Sequence, residues 1–304
     1  MPASPTVEAP QGAPGVRPWG PWLLIAPGLL WLVGLYLLPL LALVPLSLSD
    51  QVDRFSLRTV FRWRFSTFLE VLQLYGPILL RSFLYAGLAT ALGVLIAYPL
   101  ALFIRFQGGR WRPLLMALVV LPFTTSYLVR AIAFTTLLAD QGPVLHLVRT
   151  LGLAPALAAL GVLQAGRLLN TPSAVILGLL YNLLPFLVLP LVVAMERIDP
   201  LLLDAAADQY AGPLRRFSQV VWPLSLPGLN AGLLLSLIPA AGDVVNPRFL
   251  GGPNQQMIAN TIENLLLVQL QAPRAAALTL LFMLLITLGV ALLRRRGLQE
   301  LLLP

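Results

Sequence analysis

The chain predicts an all-α integral membrane bundle of about six transmembrane helices, and three observations carry that expectation. It is 58% hydrophobic and 11% charged over 304 residues, with a mean hydropathy of +0.86. A soluble domain of this size needs more charge to cover its surface. Uncharged runs at 18–49, 82–104, 168–195, 217–242 and 275–293 each approach or exceed the roughly 20 apolar residues that cross a hydrocarbon core of about 30 Å. A further run over 113–139 is interrupted only by Arg130.

In chain order, residues 1–20 are rich in Pro, Ala and Gly and read as a disordered cytoplasmic tail, without the basic start and short apolar core of a cleaved signal peptide. The membrane domain is expected over 21–297, with spans near 22–46, 82–104, 114–138, 173–195, 226–244 and 273–293 and a short cytoplasmic tail over 298–304. Pro39, Pro99, Pro122, Pro185 and Pro239 fall inside these spans, where neighbouring helices can re-satisfy the freed backbone groups. Residues 54–81 mix aromatics with arginines and predict an amphipathic helix in the outer interface. The apolar stretch 151–166 reads as a re-entrant or interfacial helix. Arginine clusters at Arg105–Arg112 and Arg294–Arg296 sit in short segments at span ends, which favours cytoplasmic termini.

Residue types exclude several functions. There is no cysteine, hence no thiolate metal site, and no lysine, hence no P-loop. His146, the single histidine, cannot build an ordinary zinc site by itself. No metal site and no cofactor are therefore expected in this chain. The net charge of +8 is spread between hydrophobic runs instead of forming one basic face, which argues against nucleic acid.

Between the fourth and fifth spans, Asp199-Pro200 is a helix-start pair and Leu201–Ala211 favours helix, with acidic Asp204 and Asp208; Gly212-Pro213 stops it. A second amphipathic piece with Arg215 and Arg216 leads to Pro223 and Pro227. The segment thus predicts a two-piece surface helix across the cytoplasmic mouth of the bundle. Asp204-Ala205-Ala206, Ala211-Gly212-Pro213, Pro223 and Leu226-Pro227 resemble the EAA loop of type I ATP-binding-cassette (ABC) importer permeases. Two positions depart from it. Asp204 stands for the usual Glu, and Tyr210 for the usual Gly, leaving Gly212 as the candidate for the permissive turn. Leu121-Pro122-Phe123 with Leu128-Val129-Arg130, Thr171–Ile176 with Leu184-Pro185-Phe186, and Pro239–Asp243 with Leu250–Pro253 and Met257–Asn260 resemble the polyamine (spermidine/putrescine) branch of that family.

The resemblance implies the type I permease fold in an inner membrane, with a coupling loop over 196–227. It implies two ATP-binding-cassette ATPase subunits that carry ATP and Mg and engage Asp204, Ala205, Ala206, Ala207, Asp208, Tyr210, Gly212 and Pro213, with Pro223 and Pro227 following. A second homologous permease and an extracytoplasmic solute-binding protein complete the assembly, and no chemistry on the substrate is expected here. Polar groups facing inward at membrane depth mark a solute pathway because lipid exposure is costly. Tyr127, Arg130, Tyr181, Asn182, Asp243 and Glu263 are the candidates, with snorkelling for Arg130, helix contacts for the tyrosines and Asn182, and pairing with Arg248 or Arg274 for the acids as the plainer alternatives. An intramembrane enzyme would need catalytic clusters that this chain lacks. A channel or secondary transporter would predict mid-span acids or inverted repeats, and neither is evident.

Overall fold

The computed structural model describes the backbone of residues 20–53, 57–210 and 212–302 and the side chains of 25–53, 57–210 and 212–292. The tail expected over 1–20 lies, apart from Gly20, outside the described residues. Six helical segments among those described are long and apolar enough to span a bilayer, the third of them Tyr127–Thr150 taken through the turn at 139–142. The first, α1, crosses as Ile25–Ser47 and touches the bundle mainly through the last helix. It ends where Ser47 and Ser49 donate their hydroxyls back to the carbonyls of Val44 and Pro45, both at 2.7 Å.

A two-stranded hairpin follows, β1 (Ser49–Gln51) antiparallel to β2 (Thr59–Phe61), with Asp50 opposite Val60. Then comes the longest element, α2 (Ser66–Gln107). This corrects two expectations: among the described residues of 54–81 no separate interfacial helix forms, and the second span starts well before residue 82. The charges that interrupt the apolar run are held by distant partners. Glu70 pairs with Arg64 at 2.8 Å and Arg274 at 3.5 Å, and Arg81 donates to the carbonyls of Asn254 and Gln256.

The span expected over 114–138 is broken. Helix α3 (Arg112–Val120) tightens into a 3₁₀ turn at Leu121–Thr124, the chain extends through Thr125 and Ser126, and α4 (Tyr127–Leu138) resumes. Pro122 offers no N–H to continue the ladder, and Thr124 and Thr125 hydroxyls cover the carbonyls of Leu121 and Pro122 at 2.8 and 2.9 Å. Helices α5 (Pro143–Thr150) and α6 (Ala154–Ala159) then fold over the bundle end, burying Leu145, Leu163 and Leu168. The stretch 151–166 is therefore one short helix with turns, and His146 is exposed on α5.

The central helix is α7 (Pro172–Glu196), capped by Thr171, whose side chain accepts from Ala174 N at 3.2 Å. Helix α8 (Pro200–Asp208) lies outside the bundle, and α9 (Pro213–Ala241) returns through it. Small residues bring α7 and α9 together. A Cβ on Gly228 would lie 2.4 Å from Ala194 Cβ, and one on Gly232 would lie 3.2 Å from Leu187 Cα. Short helices α10 (Val245–Leu250) and α11 (Ile258–Glu263) precede α12 (Ala272–Leu302), which continues through the stretch expected to be tail from residue 298.

The core divides by depth. One cluster, with Leu145, Leu179, Leu250 and Met257, fills the end under the 139–171 segment. Another, with Ile104, Leu187, Leu191 and Met195, fills the end that carries α8. A third joins Val71 and Leu79 of α2 to Ile258, Leu265 and Leu278.

Candidate functional site

The break before α4 shapes the first site. By leaving the helix at Thr125, the chain folds Phe123 back beside Tyr127 and Arg130 on the first turn of α4. These three, with Asn182, Phe186 and Asp243, line a cleft of about 420 Å³ between α4, α7 and the end of α9. Phe123 and Phe186 meet edge to face at 5.1 Å.

The polar floor is a connected network. Tyr127 Oη donates to Asp243 Oδ2 at 2.8 Å, and Asn246 Nδ2 donates to Tyr127 Oη at 2.7 Å and to Asp243 Oδ2 at 2.5 Å. Asp243 Oδ1 accepts the Val245 N–H at 2.9 Å, so the carboxylate also caps the start of α10. Asn182 Nδ2 donates to Gly178 O at 2.9 Å and approaches Asn246 Oδ1 at 3.4 Å, leaving Asn182 Oδ1 buried without a donor. Arg130 lies over the Phe123 and Tyr127 rings at 5.3 and 5.5 Å, with Nε and Nη1 buried and unpartnered.

Four of the six expected pathway residues thus converge: Tyr127, Arg130, Asn182 and Asp243. Two do not. Tyr181 turns away to pack on Phe134 at 5.0 Å, as its neighbouring position on α7 requires. Glu263 pairs with Arg248, outside the cleft. Asn246 is the member not anticipated. Its signal was available in the spacing Asp243-Val244-Val245-Asn246, which returns an amide to the carboxylate after one turn.

A second polar cleft, about 710 Å³, lies between the hairpin, the start of α2 and the start of α12, lined by Gln51, Arg64, Glu70, Gln271 and Arg274 among others. Asp50 first, then Glu70, hold the Arg64 guanidinium pKa above its ordinary value by accepting its hydrogen bonds. The residues are individually visible in the sequence, but their assembly across more than two hundred positions is not.

At the opposite end, α8 is rooted and then projects. Asp199 Oδ1 accepts the Leu201 N–H at 2.9 Å. Arg105, near the end of α2, donates to the carbonyls of Met195 and Ile198 at 3.1 and 3.2 Å, and Arg112 pairs with Glu196. Asp204, Ala205 and Asp208 are exposed, while Ala206 and Ala207 are half-buried. Tyr210 takes φ +60° and is 98% exposed. Gly212 has φ −63°, so it does not supply the left-handed turn; Tyr210 itself does. Ala211 lies outside the described residues. Gly212 and Pro213 open α9, and Pro223 and Pro227 lie exposed farther along it. Helix α9 continues through a π-turn at Phe217–Val221 into its span, so its exposed first turns are continuous with the bundle.

Comparison with known proteins agrees with this architecture. The chain is 38% identical over 208 residues to the spermidine/putrescine transport system permease protein PotB of Haemophilus influenzae, covering 68% of this chain and 70% of the relative. It is 35% identical over 235 residues to PotB of Escherichia coli (strain K12), covering 77% and 82%. A bacterial ABC transporter involved in the import of the acidic polysaccharide alginate has a chain that superposes with TM-score 0.68 over 92% of this chain and 96% of its own, at 16% identity, which shows the shared fold. The family model for the binding-protein-dependent transport system inner membrane component matches residues 89–296. Helical bundle, projecting loop and sequence match together place the chain in that family: it is the multi-pass inner-membrane permease component of a binding-protein-dependent ABC importer.

Proposed function

We propose that this permease forms half of a polyamine pathway and is driven by ATPase subunits docked on α8. The observation that carries the docking half is the projecting segment. Leu201 on α8 is 70% exposed and Leu214 at the start of α9 is 81% exposed, flanking exposed Asp204 and Asp208, while Leu203 packs back on the core. Apolar side chains presented this way among charges suit a protein partner. Two ABC ATPases would take one such segment each, this one and its counterpart on a second, homologous permease. ATP and Mg belong to those subunits.

The continuity of α9 makes the coupling mechanical. A rigid displacement of the docked segment by ATP binding moves the α9 span, whose far end carries Asp243. A spermidine- or putrescine-like substrate is supported by the names of the relatives and by the cleft: aromatic faces beside a carboxylate suit an ammonium group. Tyr127, Arg130, Asn182 and Asp243 are assigned to that pathway, with a solute-binding protein delivering substrate at the hairpin end and both termini cytoplasmic.

The test is co-purification with candidate ATPase and second-permease subunits, comparing wild type with the double variant Asp204→Arg/Ala207→Glu. Loss of the ATPase from the variant, with the second permease retained, supports docking on α8. Equal binding by the variant would sink it. Polyamine-stimulated ATPase activity of the assembled wild type then tests the substrate.

A further inference from the structure

Arg130 is held differently from the other arginines that reach into the bundle. Arg105 and Arg81 each place two donors on backbone carbonyls. Arg130 instead rests on two ring faces, with its Nε and Nη1 buried and no acceptor for either. A structural guanidinium finds oxygens for its fork of donors, since a buried unpartnered donor is unfavourable. What Arg130 occupies is a cation site: the faces of Phe123 and Tyr127 beside a carboxylate fixed through the Tyr127 hydroxyl.

We propose that Arg130 is a tethered occupant of the substrate's cation subsite, seated on Phe123 and Tyr127 until a substrate ammonium displaces it. This rests on the polyamine reading above. Both cations want the same ring faces, so they compete. The missing hydrogen bonds ease departure, since leaving gives up the ring contacts and the attraction of the nearby carboxylate but no hydrogen bond of Nε or Nη1. The long stem then lets the head swing toward water along the open cleft. The arrangement keeps the empty pathway from presenting a bare aromatic–carboxylate box to small cations. It does so at the expense of substrate affinity.

The experiment is equilibrium binding of labelled spermidine to the assembled importer in nanodiscs, without the soluble binding protein and with a non-hydrolysable ATP analogue. Arg130→Ala is expected to bind tighter, with Kd lowered roughly 2- to 30-fold, the span that a single cation–π contact represents. Free guanidinium chloride at roughly 0.1–0.3 M, against matched sodium chloride, should weaken spermidine binding to Arg130→Ala by refilling the vacated faces and leave wild type nearly unmoved. Arg130→Met, which keeps the bulk of the stem without charge, replaces Arg130→Ala if the latter does not assemble. Unchanged or weaker binding by the variant, or indifference to guanidinium, overturns the proposal. If wild type transports polyamine into vesicles while the variant's Kd does not move, this inference alone falls. If wild type transports no polyamine, the substrate reading falls and takes the inference with it.

Discussion

Gly178→Ala tests how the cleft network is braced. Gly178 lies on α7 where α10 crosses it, and an added Cβ would sit 2.4 Å from Leu250 Cδ1, 2.6 Å from Asn246 Oδ1 and 3.1 Å from Asn246 Cγ. Side-chain ends can often swing aside, but both neighbours are fully buried, at 0% exposure. Asn246 is also pinned by its bonds to Tyr127 and Asp243. Overpacking of this kind costs about 1–3 kcal/mol. A buried hydrogen bond lost as Asn246 shifts adds about 1–3 kcal/mol. A central value of about 3–5 kcal/mol, at roughly 2–4 °C per kcal/mol, lowers the melting temperature by about 6–20 °C. Thermal unfolding of the assembled importer in nanodiscs, followed by intrinsic fluorescence, measures it. Gly87→Ala is the control, because an added Cβ there meets nothing within 4 Å. A Gly178→Ala protein that melts within about 2 °C of the control would refute the close α7–α10 approach.

Two further substitutions probe the projecting segment. Tyr210→Gly removes a side chain that is 98% exposed at φ +60° and relieves about 1–2 kcal/mol of left-handed backbone cost, partly offset by glycine's added chain entropy. Amide hydrogens of α8 should exchange several-fold more slowly, and faster exchange would mean the turn is not where the strain lies. Arg105→Ala removes the guanidinium donors from the carbonyls of Met195, which keeps the Ile198 N–H at 3.2 Å, and of Ile198, a loss of about 1.5–3 kcal/mol that should appear as faster exchange at the root of α8. Unaltered exchange there would show that Asp199 capping and packing suffice.

Much of this architecture was legible in the residues. Apolar runs without charge located the bundle because lipid is the solvent, and Asp199-Pro200 with Gly212-Pro213 marked both pieces of the α8 segment. Where legibility failed, the missing information was tertiary. Glu70 and Arg81 looked like the edge of an interfacial helix until Arg64, Arg274 and the carbonyls of Asn254 and Gln256 supplied partners. Pro122 was visible, but its outcome, a broken span rather than a tolerated kink, depended on threonine hydroxyls and neighbouring helices. Within the site, residue type identified Tyr127, Arg130, Asn182 and Asp243. Adjacent positions on α7 already set Tyr181 and Asn182 on different faces, but which face meets the cleft was decided by packing against α4 and α10.

Helix α2 has a geometric consequence of its own. At about 1.5 Å per residue, Ser66–Gln107 with its 42 residues is roughly 63 Å long, whereas a bilayer with its headgroups measures about 40–45 Å. Its hairpin end is tied through Glu70 to Arg64 and Arg274, and its other end through Arg105 to the carbonyls from which α8 hangs. Pivoting such a beam by about 5° around its midpoint swings each tip by about 3 Å, the length of a hydrogen bond. Neither tip can follow that arc and keep an immobile partner. We expect a push on the hairpin face to reach the root of α8 along the helix itself.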